Sequence, residues 1–172
     1  MSTDTTSSTD GRPLAIVDID GVVADVRHRL HHIERRPKDW DAFFAAAGDD
    51  PPHREGLELV AALVRDHEVV FLTGRPRRIE PATRRWLDEH GLGGHRLVMR
   101  PDGEWLPAAR LKVRLLRELA QGRAVAVVVD DDPDVLAAMT AAGYPVRLAD
   151  WEPRAPAGER TLREAQEGEG RT

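Results

Sequence analysis

Hydrophobic and polar positions form two alternating kinds of segment along most of the chain. Short aliphatic runs are typical of strands that are buried on both faces of a sheet. Between these runs, apolar residues recur three and four positions apart, which is the spacing of one helix face. The predicted strands are 14–17, 69–72, 96–99, 124–129 and 146–148, and the clearest helical stripes lie in 57–64, 79–87 and 111–119.

Strands that alternate with helices predict an α/β fold, here a Rossmann-like three-layer α/β/α sandwich with a parallel central sheet. Turn signals agree with this order, because Gly91, Gly122 and Gly143 follow the predicted helices. Asp132 and Pro133 suit the N-cap and the first position of the helix after the fourth strand. The chain of 172 residues is long enough for one domain with a sizeable core.

The segment 26–55 differs in composition from the strand and helix repeats around it, since it holds four of the seven histidines. We interpret this segment as a small cap insertion after the first strand, with Arg29 or a histidine touching a substrate. A transition-metal cluster is the less favoured alternative, because the carboxylates described below already suit a harder cation. The histidines concerned are His28, His31 and His32.

Trp40, Phe43 and Phe44 form an aromatic group within the same segment. Aromatic side chains of this kind can stack on a nucleobase. They can also form a satellite hydrophobic cluster, and we favour that role. A short helix that covers 39–47 and ends at Gly48 would carry all three.

Composition narrows the range of functions. The net charge of −5 provides no global attraction to nucleic acid or to an anionic membrane, although a local basic patch is compatible with it. The absence of cysteine excludes disulfides and cysteine-based zinc sites. No apolar run approaches the ~18 residues of a membrane span, and no apolar signal-peptide core is present, so we expect a cytoplasmic protein. We expect residues 1–11 to be disordered, 12–150 to form the domain, and 151–172 to be a flexible tail.

Polar residues follow three of the predicted strands at the point where each strand ends. Asp18 and Asp20 follow the first strand, Thr73 follows the second, and Asp130 with Asp131 ends the fourth. Ligands of open parallel sheets bind beyond the carboxyl ends of the strands, so these groups share one edge. Two carboxylates ~4 Å apart repel by roughly 4 kcal/mol at an effective dielectric constant of about 20, which calls for a cation or a shared proton. A plain Asp-Gly turn is the alternative for the first pair, and the convergence of the strand ends argues against it.

These residue types suit phosphoryl transfer. An aspartate can attack phosphorus to give an aspartyl-phosphate that water then hydrolyses. Mg²⁺ binds one or two carboxylates together with water and phosphate oxygens, and it would offset the negative charge of the substrate. Lys112, one of only two lysines, and Thr73 can neutralise and orient phosphate oxygens.

The four elements, in this order, resemble the motifs of the haloacid dehalogenase superfamily of phosphohydrolases. The run from Asp18 to Asp25 resembles its first motif, and Thr73 and Lys112 resemble its second and third. Asp130 and Asp131 resemble the fourth, so the resemblance covers roughly residues 12 to 150. The combination is far more specific than any one motif.

The resemblance implies roles for individual residues. Asp18 would be the nucleophile, and Asp20 would protonate the leaving oxygen and later activate water. Mg²⁺ would be held by Asp18, the backbone carbonyl of Asp20, and Asp131. Asp130 and Asp134 stay open as further ligands. An acid at the Asp20 position is absent from the carbon–halogen-cleaving members, so its presence favours phosphate esters. Substrate phosphate would be bound by Thr73, Gly74, Arg75, Lys112 and Arg29.

A closer resemblance is to the 3′-phosphatase domain of polynucleotide kinases, based on Thr73-Gly74-Arg75, on 99–103 and on 148–151. That branch carries an arginine and an aspartate shortly before its lysine, where this chain has Leu106 and Ala108, and no kinase P-loop pattern occurs. We therefore expect a small phosphate ester such as a nucleotide as the substrate. A polynucleotide 3′-phosphatase is the first alternative, with nucleic acid a less favoured partner, and a non-catalytic binding protein on the same fold is the second. The oligomeric state stays open.

Overall fold

The structure is a computed structural model that describes residues 11–151. The predicted disorder of residues 1–11 and the predicted tail at 151–172 lie, apart from their inner end residues, outside this range. Five strands form one sheet with the order β3-β2-β1-β4-β5, and all neighbouring pairs are parallel. The strands are β1 Leu14–Val17, β2 Glu68–Pro76, β3 Arg96–Arg100, β4 Val125–Asp130 and β5 Val146–Leu148.

Six α-helices connect the strands or precede them in the chain. They are α1 His31–Glu34, α2 Trp40–Ala45, α3 Arg54–Leu63, α4 Glu80–Glu89, α5 Ala108–Ala120 and α6 Pro133–Ala141. Short 3₁₀ turns cover Arg27–Arg29, Ala46–Asp49 and Arg77–Ile79. The described part of the chain contains no helix with both the length and the apolar character needed to cross a membrane.

The side chains of β1 alternate between the two faces of the sheet, as the geometry of a strand requires. Ala15 and Val17 pack in one core with α3 and α4, and Trp86 of α4 is buried there. Leu14 and Ile16 pack in the other core against the leucine stripe of α5 and against α6. The predicted three-layer sandwich is therefore confirmed, with apolar contacts on both faces of the sheet.

Local capping signals also behave as their sequence indicates. The Asp132 carboxylate accepts a hydrogen bond from the backbone N–H of Asp134 and caps α6, as predicted. The helix α3 begins at Arg54, earlier than its apolar stripe suggests. Residues 54 and 55 therefore lie in α3, and the bounds of the cap insertion at 26–55 stay a prediction. In the first turn of α3, Gly56 approaches the backbone of Val22 so closely that a Cβ atom would overlap the Val22 carbonyl oxygen.

The segment between β1 and α3 forms a third, smaller apolar cluster. Its buried members are Val26, Leu30, Ile33 and Phe43, and Trp40 and Phe44 pack against them. The aromatic group is thus a satellite cluster, as favoured above, and part of it also faces the cavity described below. The function of this segment as a cap stays a prediction.

Candidate active site

Three carboxylates meet at the carboxyl edge of the sheet. Asp18 directly follows β1, Asp130 is the last residue of β4, and Asp131 comes next in the chain. Because β1 and β4 are neighbours, the backbone N–H of Asp18 reaches the carbonyl of Val129 at 3.0 Å. One carboxylate oxygen from each aspartate lies within 4.8 Å of the others. Residues more than a hundred positions apart in the chain therefore form one acidic cluster.

Gly21 lets the first motif approach this cluster. Its φ is +76°, which is unfavourable for a residue with a side chain. A Cβ atom at this position would overlap the carboxylate of Asp131. Both the backbone conformation and the space therefore require glycine, which explains why the motif places it directly after Asp20.

Lys112 lies in the second turn of α5 and is buried under the cluster. Its Nζ is 2.8 Å from Asp18 Oδ2 and 2.7 Å from Asp130 Oδ2. Burial alone would lower the pKa of this ammonium group, but the charges of Asp130 and Asp18 outweigh that effect and raise it. Lys112 therefore stays protonated between two carboxylates.

Asp18 has an unusual environment for a carboxylate. Burial raises its pKa, the charges of Asp130 and Asp20 raise it further, and Lys112 offsets only part of this, so the pKa reaches about 7. The backbone N–H of Ile19 donates to Asp18 Oδ1 at 2.8 Å and orients the group. The cluster holds three carboxylates and one ammonium group, so it fits a divalent cation that prefers oxygen ligands.

Asp20 points away from this cluster, toward two buried arginines. Arg29 Nη2 donates to Asp20 Oδ1 at 2.9 Å, and Arg75 Nε donates to the same oxygen at 2.8 Å. Burial alone would raise the pKa of Asp20, but the two guanidinium charges hold it at about 2. The Asp20 side chain is therefore ionised in this state.

Arg29 and Arg75 do not line the cavity, although the sequence suggests that they bind substrate. Both side chains are completely buried, and behind them lies the carboxylate of Asp50. No pattern in the sequence points to Asp50, because its partners lie 21 and 25 positions away and no local motif announces the pairing. His28 also contacts Asp50, with Nε2 at 2.7 Å from Oδ1.

Thr73 and Gly74 lie side by side near the end of β2, but only Gly74 lines the cavity. Thr73 is buried, and its hydroxyl accepts a hydrogen bond from the backbone N–H of Arg75 at 3.2 Å. The contact lies in the irregular part of β2 between Thr73 and Pro76, from which Arg75 reaches Asp20. A direct contact between Thr73 and a phosphate stays a prediction.

A cavity of about 460 Å³ opens above the acidic cluster. Asp18, Asp20 and Lys112 line it together with Asp130 and Asp131. Its walls include four aromatic side chains, two arginines and further acidic groups: Trp40, Phe43, Phe44, Trp105, Arg78, Arg100, Asp41 and Glu104. An anion with an attached ring system would fit such a cavity, with the anion at the cluster and the ring against the aromatic wall.

Trp105 and Arg100 are lining residues that the sequence motifs do not identify. Trp105 is 73% exposed although it lies on a loop fixed by hydrogen bonds. Arg100 Nη1 binds the carbonyls of Glu104 and Leu106 at 3.3 and 2.9 Å, so its guanidinium organises this loop. The only available signal was a single tryptophan in a Gly- and Pro-containing loop, which is not specific.

Similarity to a known family extends over nearly all of the described residues. The family model for the polynucleotide kinase PNKP phosphatase domain (HAD_PNKP) matches residues 13–147. A search of curated proteins found no match.

Solved structures show the same fold. A chain in the structure of the Pnkp1/Rnl/Hen1 RNA repair complex has a TM-score of 0.66 at 20% identity, over 86% of this chain and 46% of that one. A chain in a second Pnkp1/Rnl/Hen1 structure has a TM-score of 0.66 at 22% identity, over 80% of this chain and 45% of that one. A haloacid dehalogenase-like hydrolase from Streptococcus pneumoniae has a TM-score of 0.56 at 8% identity, over 78% and 83% of the two chains.

The chain spans less than half the length of the two RNA repair chains to which it is similar. At these identities, the structural likeness concerns the fold alone. The family match is a stronger finding, because it extends over residues 13–147 and so includes all four motifs. The chain belongs to the family of the polynucleotide kinase PNKP phosphatase domain and is a phosphatase of the haloacid dehalogenase type.

Proposed function

We propose that the protein is a Mg²⁺-dependent phosphomonoesterase that hydrolyses the phosphate ester of a nucleotide through an aspartyl-phosphate on Asp18. The observation that carries this proposal is the position of Asp18, between Asp130, Asp131 and Lys112, at the base of the cavity. A nucleophile there has charge-neutralising groups around it, as the attack on an anionic phosphate requires.

In the first step, an oxygen of Asp18 forms a bond to phosphorus while the bond from phosphorus to the ester oxygen breaks. Lys112 Nζ forms a salt bridge with Asp18 at 2.8 Å, so its ammonium group is placed to bind phosphoryl oxygens. Asp20 gives a proton to the departing oxygen. Asp20 must first take up that proton, and the negative charges of a bound phosphate favour this because they raise the pKa of a nearby acid.

In the second step, water attacks the phosphorus of the aspartyl-phosphate, and the bond from phosphorus to Asp18 breaks. Asp20, which the neighbouring arginines keep ionised in the free protein, accepts a proton from this water. Inorganic phosphate then leaves and the Asp18 carboxylate is restored. Atoms and charges balance over the two steps, since one water has been consumed.

Asp18, Asp130 and Asp131, together with the backbone carbonyl of Asp20, would hold Mg²⁺. When bound, the ion neutralises phosphoryl charge and lowers the pKa of Asp18, so that the nucleophile is ionised near neutral pH. We propose Gly74 and Thr73 as further phosphate-binding positions. Arg29 and Arg75, which are buried behind Asp20, are proposed to position that acid and not to bind the phosphate.

The nucleotide part of the proposal rests on the walls of the cavity. Stacking of a base on an aromatic side chain is worth about 1–3 kcal/mol, and it tolerates any base because every base has a π face. Trp105 and the group of Trp40 and Phe44 offer such surfaces beside the catalytic carboxylates.

A second candidate is a phosphatase that acts on the 3′-phosphate at the end of a polynucleotide. The family match favours it, as does the fold shared with a chain of an RNA repair complex. Trp105 both lines the cavity and is largely exposed, so a longer strand could continue outward past it from a terminal nucleotide.

The test measures the release of inorganic phosphate from four substrates. These are p-nitrophenyl phosphate, nucleoside 3′- and 5′-monophosphates, and a 3′-phosphorylated oligonucleotide, each with Mg²⁺ and with EDTA. We expect turnover with Mg²⁺ and none with EDTA or with Asp18→Asn. A 3′-phosphorylated oligonucleotide hydrolysed far better than the mononucleotides would favour the second candidate. Turnover that survives Asp18→Asn would contradict the proposal.

A further inference from the structure

We propose that Asp50 is a positioning residue that fixes Arg29 and Arg75 and, through them, orients the Asp20 carboxylate for proton transfer. This inference rests on the proposed function, in which Asp20 is the general acid and base. Asp50 does not line the cavity described above, so it can affect a bound substrate only through its neighbours.

The Asp50 carboxylate accepts hydrogen bonds from both arginines, from Arg29 on both oxygens and from Arg75 on one. Arg29 Nε donates to Oδ1 at 2.7 Å, and Arg29 Nη2 donates to Oδ2 at 2.8 Å, which is a two-point contact. Arg75 Nη2 donates to Oδ2 at 2.7 Å. Two-point contacts between a carboxylate and a guanidinium fix the plane of the arginine as well as its distance.

The two arginines in turn bind a single oxygen of Asp20. Arg29 Nη2 and Arg75 Nε both donate to Oδ1, at 2.9 and 2.8 Å. Asp20 also lines the cavity, which leaves Oδ2 as the oxygen that can exchange a proton with a substrate. The orientation of the acid is thus determined by groups on its far side.

Burial and charge make this arrangement sensitive to Asp50. The side chains of Arg29, Arg75 and Asp50 have no exposed area, so water cannot replace a lost partner. Two guanidinium charges face two carboxylates, which is balanced as long as Asp50 is ionised. Without Asp50, Asp20 would be the one remaining carboxylate partner of both arginines. The other contacts are long: Arg29 Nη1 reaches the carbonyl of Phe43 at 3.4 Å, and Arg75 Nη1 reaches Thr83 Oγ1 at 3.5 Å.

The proposal predicts that loss of Asp50 affects substrates according to their leaving groups. A nucleoside 3′-monophosphate releases an alkoxide, which needs a proton from Asp20. The leaving group of p-nitrophenyl phosphate is a stable phenolate that departs without one. General acid catalysis contributes roughly 10²- to 10⁴-fold to rate, so its loss is large only for the first substrate. If Asp50 had a purely structural role, its loss would lower the rates for both substrates by the same factor.

The experiment compares kcat/KM of wild type and Asp50→Asn for both substrates with Mg²⁺, since kcat/KM reports the first chemical step and not the common hydrolysis of the intermediate. Asp49→Asn is the matched control, because it makes the same chemical change at an exposed neighbouring side chain. A double variant, Arg29→Gln with Asp50→Asn, removes one buried charge of each sign and serves where Asp50→Asn fails to fold. Circular dichroism checks the fold of each variant.

We expect the Asp50 variants to lose at least 100-fold on the nucleoside 3′-monophosphate and less than 10-fold on p-nitrophenyl phosphate, with Asp49→Asn unchanged on both. An equal loss on both substrates in a folded variant would overturn the positioning role while leaving the proposed function intact. Wild type that hydrolyses neither substrate would overturn the proposed function itself, and this inference with it.

Discussion

At the scale of single residues, Asp18 would have to be ionised to act as the proposed nucleophile, yet its surroundings favour the protonated form. Burial and the neighbouring Asp130 raise its pKa to about 7. The ammonium group of Lys112, which lies 2.8 Å from Asp18 Oδ2, offsets part of this increase in pKa. A divalent cation among the three carboxylates would lower the pKa of Asp18 further and keep it ionised. This is a physical reason to expect that activity depends on a metal ion.

Gly21→Ala tests the tight contact between the first motif and Asp131. The new Cβ would overlap the Asp131 carboxylate, so we expect this residue to be displaced and the affinity for Mg²⁺ to fall. We expect the Mg²⁺ concentration for half-maximal activity to rise by at least 10-fold, because the loss of an oriented metal ligand is costly.

Gly143→Ala is the matched control for this change. Gly143 also has a positive φ, of +88°, but nothing lies near its missing Cβ. Both variants lose about 1–2 kcal/mol of folding free energy through backbone strain, whereas only Gly21→Ala should change the Mg²⁺ requirement. Equal Mg²⁺ requirements in the two variants would show that Asp131 is not a ligand.

At the scale of elements, the loop between β3 and α5 holds Trp105 at the opening of the cavity. Glu104 Oε2 accepts from Arg114 Nη2 at 2.6 Å, and Glu104 Oε1 accepts from the backbone N–H of Leu106 at 3.0 Å. Arg100, the last residue of β3, donates a hydrogen bond to the carbonyl of Leu106 in the same loop. An exposed tryptophan on a fixed loop is preorganised for stacking and loses little conformational freedom on binding.

Trp105→Ala should therefore weaken the binding of nucleotide substrates. Loss of one stacking contact corresponds to roughly a 5- to 150-fold increase in KM, from about 1–3 kcal/mol, with kcat little changed. The measurement compares a nucleoside 3′-monophosphate with ribose 3-phosphate, its abasic counterpart. Trp105→Phe should keep most of the affinity. A similar increase in KM for the abasic substrate would show that Trp105 does not contact a base.

The elements themselves were predictable from the sequence for a physical reason. Buried parallel strands need continuous aliphatic runs and helices need periodic ones, so β1 and α5 follow directly from the pattern. Because the strands are parallel, their carboxyl ends lie at one edge of the sheet, and this predicts that Asp18, Thr73 and Asp130 lie near one another. The link of Asp50 to Arg29 and Arg75 did not follow, because side-chain pairing across 21 and 25 positions depends on how helices and turns pack.

At the scale of the whole molecule, the strand order explains why distant motifs form one site. The central strand β1 lies between β2 and β4, so the three strand ends that carry Asp18, Thr73 and Asp130 are direct neighbours. The loop after β3 and the segment before α3 then enclose the cavity from two sides. The geometry of the site is a property of the complete sheet and not of any one motif.

Acid stability provides a test of the buried arginine network across the molecule. The pKa of Asp20 is lowered from 3.8 to about 2, so its contribution to folding is complete above pH 3.8 and is lost as the pH falls toward 2. The lost stability amounts to about 2 kcal/mol, at 1.36 kcal/mol for each pKa unit. Asp20→Asn, which has no charge to titrate, lacks this contribution at every pH.

Urea unfolding at pH 5 and pH 2.5 measures the difference. Between pH 5 and pH 2.5, the free energy of unfolding should fall by about 2 kcal/mol more for wild type than for Asp20→Asn. Asp49→Asn should behave like wild type. Parallel losses in wild type and Asp20→Asn would mean that the arginines do not hold the carboxylate in its ionised form.

The central claim is that Asp18 attacks phosphorus beside a metal ion held by Asp130 or Asp131. A crystal structure of the protein with Mg²⁺ and beryllium fluoride, a mimic of the phosphoryl group on a carboxylate, tests this most directly. We predict beryllium bonded to an Asp18 oxygen, with one Mg²⁺ about 2.0–2.1 Å from oxygens of Asp18 and of Asp130 or Asp131. A beryllium adduct on another side chain, or Mg²⁺ bound away from these carboxylates, would contradict the account.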